Sequence, residues 1–397
     1  MIYIFYPSNI MGGAEYLLAR TANLLHNNGF NVGLVDIEGG WLSANINNME
    51  KKIITGNKKI KLEDEDILIT TANFMYRLDV YFEKSNTKIL LWTVQPYNIV
   101  INLPRVLKKI PFFEKINSSY LCYKKPIHQK IIKSIIKKNG MVSMDGECDK
   151  ILFKTYGLNY AKFLPVFIDN KSFLYTATHK MDYNCIKIVW LGRIDLLFKI
   201  HILKKVLLDI NSLNMQNLVF DIIGNGPGLN DLKNFAKNKL NFKINFLGEI
   251  ENNSLSQILL KYDLGFAMGT SALDVASKKV PTILLDFSYS DVDDYKYRWI
   301  FETNEYTLGR DISLLSCKEI ALMKSMQEIF NDLRKDKDIL AHKCFSYVYN
   351  MHSSTSILEK LRFYISSSQF TMEDIYNYRL QKPFWNFFHN FLFKIRK

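Results

Sequence analysis

The chain has no stretch of about 18 uninterrupted apolar residues, so no helix written in it is long and apolar enough to span a bilayer. Its first residues, Met1 to Pro7, hold no basic n-region, and their apolar run is too short for a secretory signal. The five cysteines, Cys122, Cys148, Cys185, Cys317 and Cys344, are odd in number, far apart and without a CxxC pair. That excludes a disulfide framework and a thiolate zinc site, and it points to reduced thiols in a reducing compartment. No GxGxxG fingerprint follows a strand, so no NAD site is expected. No RNP, zinc-finger or helix-turn-helix pattern is present, so nucleic acid is not an expected partner. Repeats and low-complexity tracts are also missing. These absences leave a protein expected in the cytoplasm or on the inner face of a membrane.

What is present is enough chain for two domains: 397 residues, 48% of them hydrophobic. The formal net charge of +13 calls for an anionic partner, such as a phosphorylated substrate or an acidic membrane face. Apolar runs predict strands at 1–6, 32–37, 67–70 and 89–93. Between the first two lie Gly12-Gly13 and a helix with Leu17, Leu18, Leu24 and Leu25 on one face, stopped at Asn27-Asn28-Gly29. Strand, glycine turn, helix and strand form a βαβ unit, which requires a parallel sheet. Residues 169–184 are polar and poorly periodic and read as a linker. The same grammar then restarts, with strands predicted at 186–191, 218–223, 244–247, 264–267 and 282–285. Helices are predicted at 229–239 and at 254–262, the latter capped by Ser254. Helices dominate from Lys318 onward. The expected class is α/β, doubly wound. The expected domains are 1–170, 184–345 and a helical segment 346–397.

Several loops carry chemistry. Gly269-Thr270-Ser271 reads as a turn that opens a short helix, where unpaired backbone N–H groups suit a phosphate. Asp274, one turn further on, is placed to reach hydroxyls of the same ligand. Gly192-Arg193 follows a strand, and Lys199 comes six residues after the arginine. A guanidinium fork and an ammonium placed there stabilise charge on a leaving diphosphate without a metal. Gly12-Gly13 and Gly224-Asn225-Gly226-Pro227-Gly228 also join a strand to a helix; the second reads either as a structural turn or as a loop against a base. Asp291-Val292-Asp293-Asp294 reads as a solvated loop, so no metal cofactor is expected. Asp145 and Glu147 follow a further strand candidate as acids of undecided role.

In this order and at this spacing, these segments resemble the GT-B glycosyltransferases of the family 4 type. Phe163-Leu164-Pro165-Val166-Phe167-Ile168-Asp169 and Phe246-Leu247-Gly248 belong to the same resemblance. It implies two Rossmann-like domains facing an inter-domain cleft, with last helices that cross back to the first domain. It also implies a nucleoside-diphosphate-sugar donor on the second domain, an acceptor on the first, and metal-independent transfer with retention. Arg193 and Lys199 fall at the diphosphate-binding pair and are the candidate catalytic residues. Gly12, Gly13, Gly192, Gly224, Gly269, Thr270, Ser271 and Asp274 are the candidate donor-binding residues, with Asp274 at the second acid of the Glu-x7-Glu motif. Gln95 stands near a strand end where the family often has His, and is the candidate contact to sugar or acceptor. Three departures mark this chain: Phe266 stands where the first Glu of the motif belongs, Asp274 is shorter than the usual Glu, and Lys279 replaces a Gly.

The expectation is a sugar transferase of bacterial surface polysaccharide synthesis, acting on a lipid-linked or oligosaccharide acceptor. Two alternatives keep the fold: a catalytically silent subunit that binds a partner or membrane, and a sugar-nucleotide epimerase or phosphorylase. Two basic stretches suit an anionic interface or ordinary packing. One is 124–138, with six lysines and no acid; the other is 383–397, with Phe384, Phe387, Phe388 and Phe391 at helical spacing and Lys394, Arg396 and Lys397 at its end.

Overall fold

The computed structural model describes residues 1–100, 125–174, 176, 182, 185–215 and 217–378. The chain divides into two compact units. One comprises residues 1–165 with the segment from Leu358, and the other runs from Val166 to Ile357.

The first unit holds a six-stranded sheet. Its strands are β1 (Ile2–Phe5), β2 (Val32–Ile37), β3 (Glu50–Ile54), β4 (Ile67–Thr71), β5 (Lys88–Thr93) and β6 (Met141–Ser143), ordered β3-β2-β1-β4-β5-β6. All its pairs are parallel. Its helices are α1 (Gly13–Asn27), α2 (Trp41–Asn45), α3 (Leu78–Tyr81), α4 (residues 125–137) and α5 (Gly146–Tyr156). β1, β4 and β5 are buried along almost their whole length. Strands covered on both faces are written as continuous apolar runs, as these are.

The second unit repeats the design with β7 (Ile186–Leu191), β8 (Leu218–Ile223), β9 (Lys243–Gly248), β10 (Leu264–Ala267), β11 (Thr282–Leu284) and β12 (Arg298–Trp299). Their order is β12-β11-β10-β7-β8-β9, antiparallel only at β11–β12. The helices are α6 (Lys199–Ser212), α7 (Leu229–Lys239), α8 (Asn252–Leu259), α9 (Thr270–Ala276), α10 (Cys317–Leu322) and α11 (Met326–His352). In α6, Ile200, Leu203, Val206, Leu207 and Ile210 form the buried stripe that packs on the sheet. Then α12 (Ser354–Ser367) begins in the second unit and ends in the first, where α13 (Met372–Tyr378) follows.

Two sequence expectations change. The helix expected at 254–262 starts earlier, at Asn252: Leu255 N–H closes the first turn on the Glu251 carbonyl at 2.8 Å, so Ser254 lies inside the helix and is not its cap. The basic stretch 124–138 is a core helix over its described part. Ile131, Ile132 and Ile135 are buried in the first unit while Lys130, Lys133 and Lys137 are exposed, so its apolar face is already covered. The basic aromatic stretch 383–397 lies outside the described residues.

Candidate active site

In each sheet the strand order reverses between two neighbours: β1 and β4 in the first, β7 and β10 in the second. Ligands of open parallel sheets bind outside the strand C-termini at such a reversal, because the flanking connections leave to opposite faces and open a crevice. Gly12 and Gly13 follow β1, and Gly192, Arg193, Gly269, Thr270 and Ser271 follow β7 and β10, whereas Gln95 follows β5 and Asp145 and Glu147 follow β6.

At the second switch point, Leu191 of β7 pairs in register with Ala267 of β10. Gly192-Arg193 therefore leaves one strand beside the point where Met268-Gly269-Thr270 leaves the other. Arg193 is exposed and Lys199 is half-buried as the first residue of α6. The intervening turn is fixed by Asp195, whose carboxylate accepts from Leu197 N–H at 2.7 Å and whose carbonyl accepts from Ile200 N–H at 3.1 Å. Burial pushes the Lys199 ammonium below the ordinary lysine range. Asp195 opposes that shift, and Arg193 adds to it by like-charge repulsion. The two cations thus sense each other.

The glycine loop after β8 is locked onto the turn after β7. Gly192 N–H donates to the Ile223 carbonyl, Ile194 N–H to the Asn225 carbonyl and Gly228 N–H to the Ile194 carbonyl. A Cβ at Gly224 would lie 2.1 Å from the Gly192 carbonyl oxygen. Glycine at 224 therefore permits a backbone contact that carries the Arg193 turn, which is the structural-turn alternative for this loop. Arg193, Asn225, Gly226 and Glu249 line a shallow hollow of about 440 Å³.

On the opposite wall, Gly269 sits at φ 63° and ψ −145°, a conformation open to glycine alone. Its N–H donates to the Leu308 carbonyl at 2.7 Å, and no side chain caps α9. Thr270 is exposed and Ser271 half-buried at the helix start. Asp274 lies half-buried one turn on, and its charge acts on Lys278, four residues further along the chain. Lys278 is buried, its ammonium donates to the Ser172 carbonyl, and burial lowers its pKa against the opposing pull of Asp274. Lys279 takes φ 56° just past α9, a left-handed position that accounts for the glycine usual there.

Sequence reasoning missed what holds these loops. Asp286, two residues beyond β11, is fully buried in a two-pronged pair with Arg298 at 2.6 and 2.7 Å, and it also accepts from Arg310 N–H at 3.0 Å. Phe287 N–H donates to the Arg310 carbonyl and Ser288 N–H to the Phe198 carbonyl. The network thus ties the loops after β11 and around 308–311 to the residue preceding Lys199. Asp291 pairs with His201 at 2.6 Å.

At the first switch point, Gly12 caps α1 beneath the buried Glu15 carboxylate, and Gly13 opens the helix with free space beside it. Gln95 is exposed two residues past β5, in a turn closed by Asn98, whose side chain accepts from Gln95 N–H at 2.8 Å. Asp145 is the N-cap of α5, accepting from Cys148 N–H at 3.0 Å; burial raises its pKa to about 6. Glu147 pairs with Lys150 at 2.9 Å.

Two Rossmann-like units with this shared strand order, and ligand-suited loops at both reversals, define a GT-B fold. Among solved structures the chain is similar to a glycosyltransferase from Rickettsia africae ESF-5, at 14% identity and a TM-score of 0.59 over 92% of this chain and 98% of that one. It is also similar to the lipopolysaccharide outer core galactosyltransferase WaaB in its apo form, at 10% and 0.52 over 92% and 99%. A third is Anabaena Alr3699/HepE in complex with UDP-glucose, at 11% and 0.50 over 92% and 99%. No protein-family model and no curated protein matches the chain.

Proposed function

We propose that the protein is a glycosyltransferase that moves a sugar from a nucleoside-diphosphate-sugar to a glycan or lipid-linked glycan. The observation that carries the reading is the Arg193–Lys199 pair at the second switch point. Burial disfavours the Lys199 ammonium, Asp195 offsets that cost only in part and Arg193 adds to it, so a diphosphate arriving between the two cations would relieve the remainder. The GT-B fold supports it, as do the similar structures of a galactosyltransferase and of a protein in complex with UDP-glucose.

In this reading the bond between the anomeric carbon and the diphosphate oxygen breaks, and the electron pair stays on the diphosphate. Arg193 and Lys199 stabilise that charge in place of a divalent cation. Gly269, Thr270 and Ser271 line the phosphate side opposite them, with Gly192 and Gly224 shaping the backbone beneath; Asp274 takes ribose hydroxyls. The acceptor hydroxyl attacks the face the diphosphate leaves, and the departing phosphate oxygen takes its proton, giving retention. Gly12, Gly13 and Gln95 belong to the first unit's share of donor phosphate, sugar and acceptor. The setting we propose is bacterial surface polysaccharide synthesis, such as capsule, O-antigen or lipooligosaccharide, on the cytoplasmic face of the membrane.

The test is nucleotide release from a panel of UDP-, GDP-, CDP-, ADP- and dTDP-sugars with EDTA present. One donor should turn over, and Arg193→Ala or Lys199→Ala should slow it by roughly 10²–10³ while the fold persists. Turnover that survives both substitutions, or that returns only with Mg²⁺ or Mn²⁺, would reject this site.

A further inference from the structure

A second hollow, of about 720 Å³, lies in the first unit beside the C-terminal end of its edge strand β3. β2 separates that strand from the switch point at β1. The volume is that of a small-molecule pocket. Its walls come from the loop Gly56–Lys59, from Asp79 to Tyr81 of α3, and from Tyr376 of α13. The returning C-terminal helix therefore completes it.

The chemistry of the walls is specific. Lys59 Nζ donates to Tyr376 Oη at 2.9 Å, and Tyr376 Oη donates on to the Phe82 carbonyl at 2.7 Å. The phenol thus fixes the lysine, and the backbone fixes the phenol. Lys59 is half-buried, yet the partner that holds it is neutral. Among the described residues neither Lys58 nor Lys59 comes within ion-pair distance of a carboxylate. One acid, Asp79, shares the wall, and its carbonyl faces Tyr376 Oη at 3.4 Å. Two lysines against one acid, with Tyr81 and Tyr376 beside them, suit a ligand that is anionic at one end and carries less polar ring surface at the other.

We propose that this pocket is a subsite for an acidic saccharide, a sugar bearing a carboxylate or a phosphate, whose charge is met by Lys58 and Lys59 and whose ring lies along the two tyrosines. The saccharide half rests on the glycosyltransferase reading; the anionic half rests on the pocket itself. A glycan chain carrying acidic residues would then be gripped at a point separate from the reacting centre.

Calorimetric titration of the whole chain tests this with glucuronic acid, glucose 6-phosphate, glucose and inorganic phosphate. Both acidic sugars should bind about tenfold tighter than glucose or inorganic phosphate, and Lys58→Gln with Lys59→Gln should remove about tenfold of that affinity. Tyr376→Phe, which deletes only the hydroxyl holding Lys59, should weaken it less, and Arg193→Ala should leave glucuronic acid binding unchanged. If the double variant does not fold, Lys58→Gln alone, at an exposed position, should show part of the loss. Equal binding of glucose, or full affinity in the lysine variants, overturns the proposal. Inorganic phosphate binding as tightly as glucose 6-phosphate when both are titrated into Arg193→Ala protein, where the proposed diphosphate site is disabled, overturns its saccharide half. Nucleotide binding, measured in parallel, reports on the glycosyltransferase reading separately, because none of these pocket residues belongs to the second unit.

Discussion

Lys199 is the residue whose environment says most. Its folded-state pKa is lowered by burial and by Arg193, so the unfolded chain holds that proton more tightly. The protonated lysine therefore costs stability, and the cost disappears as pH rises from its lowered pKa into the ordinary lysine range. Binding runs the other way. A diphosphate needs the proton in place, so affinity is present below the Lys199 pKa and is lost as pH rises through it, before the ordinary value of 10.5. Two measurements follow. Lys199→Met should raise the melting temperature of the ligand-free protein, by about 2–4 °C for ~1 kcal/mol, while weakening nucleoside diphosphate binding. Lys199→Arg should move the alkaline loss of affinity to higher pH. A wild-type affinity flat to pH 10.5, or a less stable methionine variant, would show that the ammonium is not poised for an anion.

At the scale of elements, α9 carries two duties that pull on one carboxylate. Asp274 is proposed to take ribose hydroxyls, yet its charge also supports the buried Lys278 one turn on. Asp274→Asn keeps the shape and removes the charge. If the ribose role holds, nucleotide affinity should fall by about 1.5–3 kcal/mol. A lower melting temperature with unchanged affinity would assign Asp274 to Lys278 alone. Much of the fold is legible in the sequence. The bounds of β2, β7, β8, α7 and β10 follow from apolar runs and glycine stops, because buried parallel strands are written as such runs. β3 is not legible in the sequence: Glu50-Lys51-Lys52 opens it, and charged residues are common on an edge strand. β12 is two residues long and has no period to read. The loops proposed to carry the site stand out in the sequence by residue type and order, whereas Lys278 and the Asp286–Arg298 pair do not. A lysine or an arginine reads as surface until the fold shows it buried, and the partner of Lys278 lies 106 residues away along the chain.

For the whole molecule, the net charge of +13 exceeds what the Arg193–Lys199 pair accounts for, and the proposed membrane setting draws on the rest. The segment 383–397 supplies Phe384, Phe387, Phe388 and Phe391 followed by Lys394, Arg396 and Lys397. Each cation near an anionic surface is worth about 1 kcal/mol, so three give roughly a hundredfold in partitioning before the aromatic rings are counted. The last described helix has its own anchors: Lys138 grips Asp374 at 2.7 Å, Lys84 reaches Glu373 at 2.9 Å, and Tyr376 donates to the Phe82 carbonyl. A chain ending at residue 382 keeps all of these. Its melting temperature should therefore stay within a degree or two, its turnover of a short soluble acceptor should persist, and its binding to phosphatidylglycerol vesicles should drop by about a hundredfold. Vesicle binding unchanged by the deletion would end the membrane role of the segment. A lower melting temperature, with activity lost on every acceptor, would instead assign its aromatic side chains to the core of the protein.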